Sequence, residues 1–349
     1  MHLAMQLIDV LPQHRFDEAS LWRYLAAQLA EFRPPATIRQ FQGGQSNPTF
    51  LIESPAARFV LRKKPPGNLL PSAHLVEREY RVMKALGESA VPVPKVRLLC
   101  TDESIIGTAF YLMDYVEGRV LSNVALPECR ATDRTRIYDD LARVLAAIHT
   151  VDWRAAGLSD FGKPERYVAR QLDRWTKQYL ASKTEEDAAM TSLIAWLGER
   201  VPADDEAALV HGDYRMGNLI LHASEPRIVA VVDWELATLG APLGDLAYTC
   251  MSYRVPPGEA LSGLAGIDVA ALGIPGESEF IANYCRYARR GPPEDWSFYL
   301  AFAFFRSAAI TQGVYARALQ GNAADRRGIE HGRVARLAAR LGWSIARGS

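Results

Sequence analysis

Leu209-Val-His-Gly-Asp-Tyr-Arg-Met-Gly-Asn218, followed by Ile228-Val-Ala-Val-Val-Asp-Trp-Glu235, is the part of this chain that decides how the rest is read. It reads as strand, polar loop, strand, turn, strand, polar loop. Residues 208–210 and 219–221 are short apolar runs, Ala223-Ser-Glu-Pro226 is a turn cluster, and residues 228–232 form a third, β-branched run. Pairing the last two runs through that turn predicts that Asn218 and Asp233 come close together, with Asp213 on the loop just before them. Three oxygen-bearing side chains then serve one pocket. Magnesium-dependent phosphoryl transfer requires this set: one carboxylate to orient the attacking hydroxyl, and one amide with one carboxylate to hold the metal that neutralises phosphate charge.

Outward from that stretch, His211-Gly-Asp213-x-x-x-x-Asn218, Asp233-Trp-Glu235 and Gly240-Ala-Pro-Leu-Gly-Asp-Leu-Ala247 resemble the aminoglycoside phosphotransferase family of small-molecule kinases. Two further stretches narrow the resemblance to the kinase-like domain fused to, or encoded beside, some acyl-CoA dehydrogenases. They are Asp233-Trp-Glu-Leu-Ala-Thr-Leu-Gly-Ala-Pro-Leu243 and Arg306-Ser-Ala-Ala-Ile-Thr-Gln-Gly-Val-Tyr315. The similarity runs from about Gln42 to Ala324. It implies an α+β, bilobal, protein-kinase-like fold with a small antiparallel-sheet N-lobe and a larger, mostly helical C-lobe. Residues 1–35 would be a helical arm and 36–115 a nucleotide-binding lobe. Residues 116–349 would carry the catalytic loop and the acceptor site.

The bulk numbers agree with such an enzyme. A chain of 349 residues can bury two cores. Lys plus Arg and Asp plus Glu are 40 each, which argues against nucleic acid as a partner. Four cysteines, Cys100, Cys129, Cys250 and Cys285, stand far apart, so neither a zinc knuckle nor a disulfide framework is expected, and a cytoplasmic location is. The apolar start has no basic leader, and no apolar run reaches membrane-spanning length.

Ordinary patterning supplies the remaining elements. Helical spacing predicts helices over 16–32, 74–86, 133–148, 166–182, 187–197, 245–253, 277–289, 296–319 and 333–341, and strands over 38–41, 49–53, 58–64, 96–99 and 109–113. Trp175 and Trp196 are expected in the core. Asp245 is expected to cap the helix it opens, and His149 to cap or pack at a helix end. The apolar stripe of the first helix packs on its own lobe or, alternatively, forms a homodimer contact.

The nucleotide site is predicted in pieces. Gly43 and Gly44, with Ser46 and Asn47, form a turn whose N–H groups can hold phosphate, although on their own the same residues read better as an ordinary hairpin turn. The resemblance implies that this loop covers the nucleotide. It also puts Arg62 where kinase-like folds keep a phosphate-binding Lys, with Lys63 as fallback and Glu79 as its ion-pair partner. Met113, Asp114 and Val116 fall where the family reads adenine. Asp213 is the catalytic base candidate, Asn218 and Asp233 the Mg2+ ligands, and ATP the nucleotide, with GTP left open. His211 buttresses the loop.

The resemblance favours a hydroxy acid or a hydroxyacyl-CoA as acceptor, with Lys63, Lys64 and Arg78 meeting CoA phosphates and Arg306, Gln312 and Tyr315 lining the acceptor pocket. The alternatives are an aminoglycoside O-phosphotransferase, a nucleotide-binding pseudokinase acting as scaffold or sensor, and, ranked last, a metal-dependent hydrolase built on His211 and Asp213.

Overall fold

The computed structural model describes residues 6–42, 47–65, 75–203, 206–258, 262–320, 328 and 330–348. The chain divides into two compact units, Met1–Leu121 with Met216–Ala237, and Ser122–Arg215 with Thr238–Ser349.

The first unit is built on an antiparallel sheet. Its strands are β1 (Leu7–Ile8), β2 (Thr37–Phe41), β3 (Thr49–Glu53), β4 (Arg58–Lys63), β5 (Val96–Cys100) and β6 (Phe110–Asp114), in the order β1-β2-β3-β4-β6-β5. Sequence patterning did not show β1, because two residues carry no readable alternation. It pairs Leu7 with Phe41 at the sheet edge.

Side-chain alternation sorts the sheet into two faces. One face, with Phe50, Ile52, Phe59, Leu61, Phe110 and Leu112, joins Leu21 and Leu25 of helix α1 (Glu18–Gln28) in a single buried cluster. Asp17 starts α1 by accepting the Ser20 N–H at 3.0 Å. The other face carries Val60, Arg62, Tyr111 and Met113, and packs against helix α2 (Val76–Leu86). That face positions the candidate site. The hairpin β8 (Leu219–Leu221) and β9 (Ile228–Val231) belongs to the same unit, tied to it by the Val231 N–H on Pro92 C=O at 2.8 Å.

The second unit is helical. It holds α3 (Ala131–His149), α4 (Tyr167–Ser182), α5 (Ala188–Gly198), α6 (Pro242–Cys250), α7 (Glu277–Ala288), α8 (Trp296–Leu319) and α9 (Glu330–Ala346). Helix α8 is its spine, burying Phe298, Phe302, Phe304 and Phe305 and packing against α4, α6 and α9. Strand β7 (Ala208–Val210) pairs antiparallel with β10 (Thr238–Gly240), a strand too short to be read from sequence.

Three expectations are corrected here. Trp175 and Trp196 are half-buried rather than core, each with an arginine (Arg174, Arg200) over its ring. Helix α6 starts at Pro242 behind Ala241, so Asp245 lies inside the first turn and is not its cap. Of the two roles offered for His149, the cap is corrected and the packing holds: its buried ring lies edge-on to Tyr284 and bonds Tyr284 and Asp245.

Candidate active site

Strand register creates the candidate group of the first unit. Arg62 on β4 stands opposite Tyr111 on β6 and Thr49 on β3, on the face that α2 covers. Its guanidinium lies 3.3 Å from Glu79 of α2, 2.6 Å from Asp233 and 3.8 Å from Glu235. Burial works against the Arg62 charge, but Glu79 and Asp233 outweigh it and raise its proton affinity. Glu79 is 1% exposed. It accepts the Asn47 side-chain N–H at 2.8 Å and the Tyr111 hydroxyl at 3.2 Å. Burial pushes its carboxyl up to about 7; Arg62 opposes this, while Asp233 and Glu235 add to it. Three carboxylates thus share one guanidinium.

Lys63, the fallback cation, points the other way. It is buried, sits 5.8 Å above the Phe16 ring, and burial lowers its proton affinity. Lys64 is paired with Glu77, and Arg78 donates to the Ala237 carbonyl at 3.3 Å. Arg62, Glu79 and Asn47 therefore converge, and Lys63 does not join them. The Asn47 Oδ1 is buried without a hydrogen-bond partner, while its amide N–H is held by Glu79. Gly43, Gly44 and Ser46 lie outside the described residues.

The hairpin adds two oxygen donors. Asn218 ends a short 3-10 turn, Met216–Asn218, and is buried. The Val232 N–H donates to its carbonyl at 3.0 Å, so the backbones at 218 and 232 are adjacent, as the turn chemistry predicted. Asp233 follows at once in the left-handed region, φ 68 and ψ 56. Aspartate tolerates that region better than most residues, but it costs on the order of 1–2 kcal/mol. Strain of this kind is typical of functional positions. The turn Trp234–Leu236 after it rests against α2.

Met113 is buried on β6, paired with Val60 and Val96. The Asp114 side chain is clamped by Arg97 at 2.6 and 2.9 Å, and its N–H is taken by the Lys95 carbonyl at 2.9 Å. Val116 lies half-buried just past the strand.

The second unit carries its own group of candidate residues on the loop from His211 to Arg215, which follows β7. Its hub is Asp245. One carboxylate oxygen accepts the His211 N–H at 2.6 Å, and the other accepts the Gly212 N–H at 2.9 Å. Burial raises the Asp245 proton affinity, but His149, His211 and Arg306 outweigh it and leave the carboxyl below its ordinary value. Gly212 has φ 83, a conformation that only glycine adopts without strain, and its carbonyl accepts from Arg306. His211 is fully buried and its Nδ1 accepts the Asp213 N–H at 3.2 Å, which is the buttress expected of it.

Asp213 then stands off the loop, partly exposed. The Tyr248 hydroxyl donates to its Oδ1 at 2.6 Å, and Arg215 Nε lies 3.2 and 3.1 Å from its two oxygens. Burial first, and Asp213 second, hold the Tyr248 phenol protonated. Sequence reasoning missed Tyr248. A signal was present: Tyr248 and Asp245 are three apart on one helix, so a helix that supports the loop with one can reach it with the other. Of the three side chains offered for the acceptor pocket, Gln312 is spent on the Ser182 carbonyl at 2.9 Å, and Arg306 on Gly212.

Comparison with known proteins agrees with this geometry. Residues 37–294 match the model of the phosphotransferase enzyme family, APH. A Ralstonia eutropha protein provisionally described as an aminoglycoside phosphotransferase superposes with a TM-score of 0.89 at 47% identity, over 96% of this chain and 99% of that one. Aminoglycoside phosphotransferase APH(4)-Ia, solved with AMP-PNP and hygromycin B, shares the fold alone, with a TM-score of 0.60 at 17% identity over 95% of this chain and all of that one. Acyl-CoA dehydrogenase family member 10 of mouse is 46% identical over 89% of this chain but only 29% of its own length. Family member 11 of human is 42% identical over 90% of this chain and 41% of its own. The chain thus spans well under half of these curated relatives. With its protein-kinase-like α+β fold, the chain belongs to the phosphotransferase enzyme family.

Proposed function

We propose that this chain is an ATP-dependent kinase that transfers the γ-phosphoryl group to a hydroxyl of a small molecule, a hydroxy acid or a hydroxyacyl-CoA. The observation that carries the reading is the Arg62 guanidinium joined to Glu79 at 3.3 Å and to Asp233 at 2.6 Å. A fixed cation beside a metal-competent carboxylate is what a nucleoside triphosphate needs. Arginine meets phosphate oxygens through two parallel N–H donors, and Glu79 sets its direction. Asn47 holds Glu79 from the other side, and Met113, Asp114 and Val116 receive the base. With the Asp114 N–H spent on Lys95, base recognition falls to the Asp114 carbonyl and the Val116 N–H.

The donor set fits Mg2+. One amide oxygen and one carboxylate, Asn218 and Asp233, are what this ion takes from a protein when phosphates and water complete its shell. Bound there, it would neutralise charge on the transferring phosphoryl. Asp233 must then exchange Arg62 for the metal, leaving Arg62 to the phosphates. Asp213, oriented by Tyr248 and Arg215, aligns the acceptor hydroxyl and takes its proton late in a loose transition state.

Arg215 beside Asp213 favours an anionic acceptor over a polycationic aminoglycoside. The names of the acyl-CoA dehydrogenase relatives favour an acyl acceptor. One observation favours the pseudokinase reading: Arg62, in place of a lysine, already sits on Asp233. A single screen separates the readings. The chain is incubated with Mg-ATP and a panel of hydroxy acids, hydroxyacyl-CoAs and aminoglycosides, and products are read by mass. Phosphoryl gain on an acyl-type alcohol is the expected result. Gain on aminoglycosides alone would overturn the acceptor class, and no transfer to any alcohol would leave the pseudokinase.

A further inference from the structure

An open cavity of about 510 Å³ lies between α7 and the start of α8, wholly within the second unit. This is the size of a small-ligand site. Ile281, Ala282, Pro293 and Trp296 make its apolar wall. Trp296 is fixed, its ring N–H donating to Glu277 at 3.0 Å. Arg286 and Arg290 also line it. Arg290 is the unusual group. Its Nε is buried and makes no hydrogen bond, a rare condition for a guanidinium N–H. Its terminal nitrogen is 3.0 Å from Glu206, whose side chain is 63% exposed and so easily exchanged for another carboxylate. Arg286 is 3.3 Å from the exposed Asp139. Apolar walls beside a guanidinium whose carboxylate partner is exposed favour an apolar molecule that ends in a carboxylate.

The same arginine touches a buried polar chain. Its positive charge opposes the burial that raises the proton affinity of the Tyr284 hydroxyl. Tyr284 is 2.7 Å from His149 Nδ1, and His149 Nε2 is 3.5 Å from Asp245. Because Asp245 only accepts, His149 Nε2 donates to it. Asp245 in turn holds the His211 and Gly212 N–H groups. A buried polar chain therefore links Tyr284, which feels the Arg290 charge, to the loop that carries Asp213.

We propose that this cavity is a second binding site, for an apolar monocarboxylate, and that Arg290 transmits its occupancy to the 211–213 loop through Tyr284, His149 and Asp245. Neither part depends on what reaction Asp213 serves. The test uses the full chain and labelled octanoate in equilibrium dialysis. Saturable binding of one equivalent is expected. Arg290→Gln should weaken it at least tenfold, and so should neutral octanamide as ligand. Ala282→Trp, at an exposed position of the wall, fills the cavity without touching a charge and should abolish binding. Octanoate should also shift the ring resonances of His149 in the wild type and not in Ala282→Trp. Absence of saturable binding, or binding unchanged in Ala282→Trp, overturns the site. Equal binding of octanamide overturns the role of Arg290, and an unmoved His149 overturns the transmission.

Discussion

Asp213 is the residue on which turnover should depend most. Replacing it by Asn keeps the Tyr248 contact but removes the proton acceptor. Asp213→Asn is expected to lower kcat by about 10²–10⁴ while nucleotide affinity stays the same, measured by steady-state kinetics alongside nucleotide binding. Tyr248 acts through Asp213, so Tyr248→Phe should cost less, about tenfold in kcat, with KM for the nucleotide unchanged. A uniform rise in KM would mark it as a packing residue only.

Glu79 makes a prediction about pH. Its carboxyl is raised from 4.5 to about 7, because burial and the neighbouring carboxylates outweigh Arg62. The folded state therefore holds a proton that the unfolded state has lost, between about pH 4.5 and 7. This contribution to stability is fully present below pH 4.5 and is lost as pH rises to about 7. It amounts to up to about 3 kcal/mol. Urea unfolding of the wild type and Glu79→Gln across that range should show the slope in the first and a flattened one in the second.

At the scale of elements, α6 is the support of the 211–213 loop. Asp245 satisfies two backbone N–H groups 34 and 33 residues earlier in the chain. Asp245→Ala orphans both and should destabilise the chain by about 3 kcal/mol, read as a lower urea midpoint. Nothing in the local sequence showed this role. Asp245 near the start of a helix resembles a cap, and its true partners are distant main-chain groups that have no side-chain signature. His149 was placed as a packing residue, but its partners, Tyr284 and Asp245 on two other helices, were hidden for the same reason. Elements with their own periodicity were readable: the stripe of α1 and the alternation along β4 placed the right side chains on the right faces. The hairpin β8–β9 was readable because its turn residues and β-branched run are local. Strand β10 was not, since three residues paired across the fold carry no pattern.

For the whole molecule, the sequence similarity from Gln42 to Ala324 foretold the family match over residues 37–294 and the α+β class. It left the acceptor open. Net charge of zero, with the basic groups of the site balanced by its acids, fits a chain that meets small ligands. Among the described residues no helix is long and apolar enough to cross a membrane.

The central claim is that Asn218 and Asp233 together hold the metal that brings the nucleotide to Arg62. It is tested most directly by titrating ATP into the chain with and without Mg2+, for the wild type, Asn218→Ala and Asp233→Asn. Asn is chosen at 233 because it tolerates the left-handed backbone there. The account predicts affinity that rises at least tenfold with Mg2+ in the wild type and loses that rise in both variants. Magnesium dependence that survives in both would contradict it.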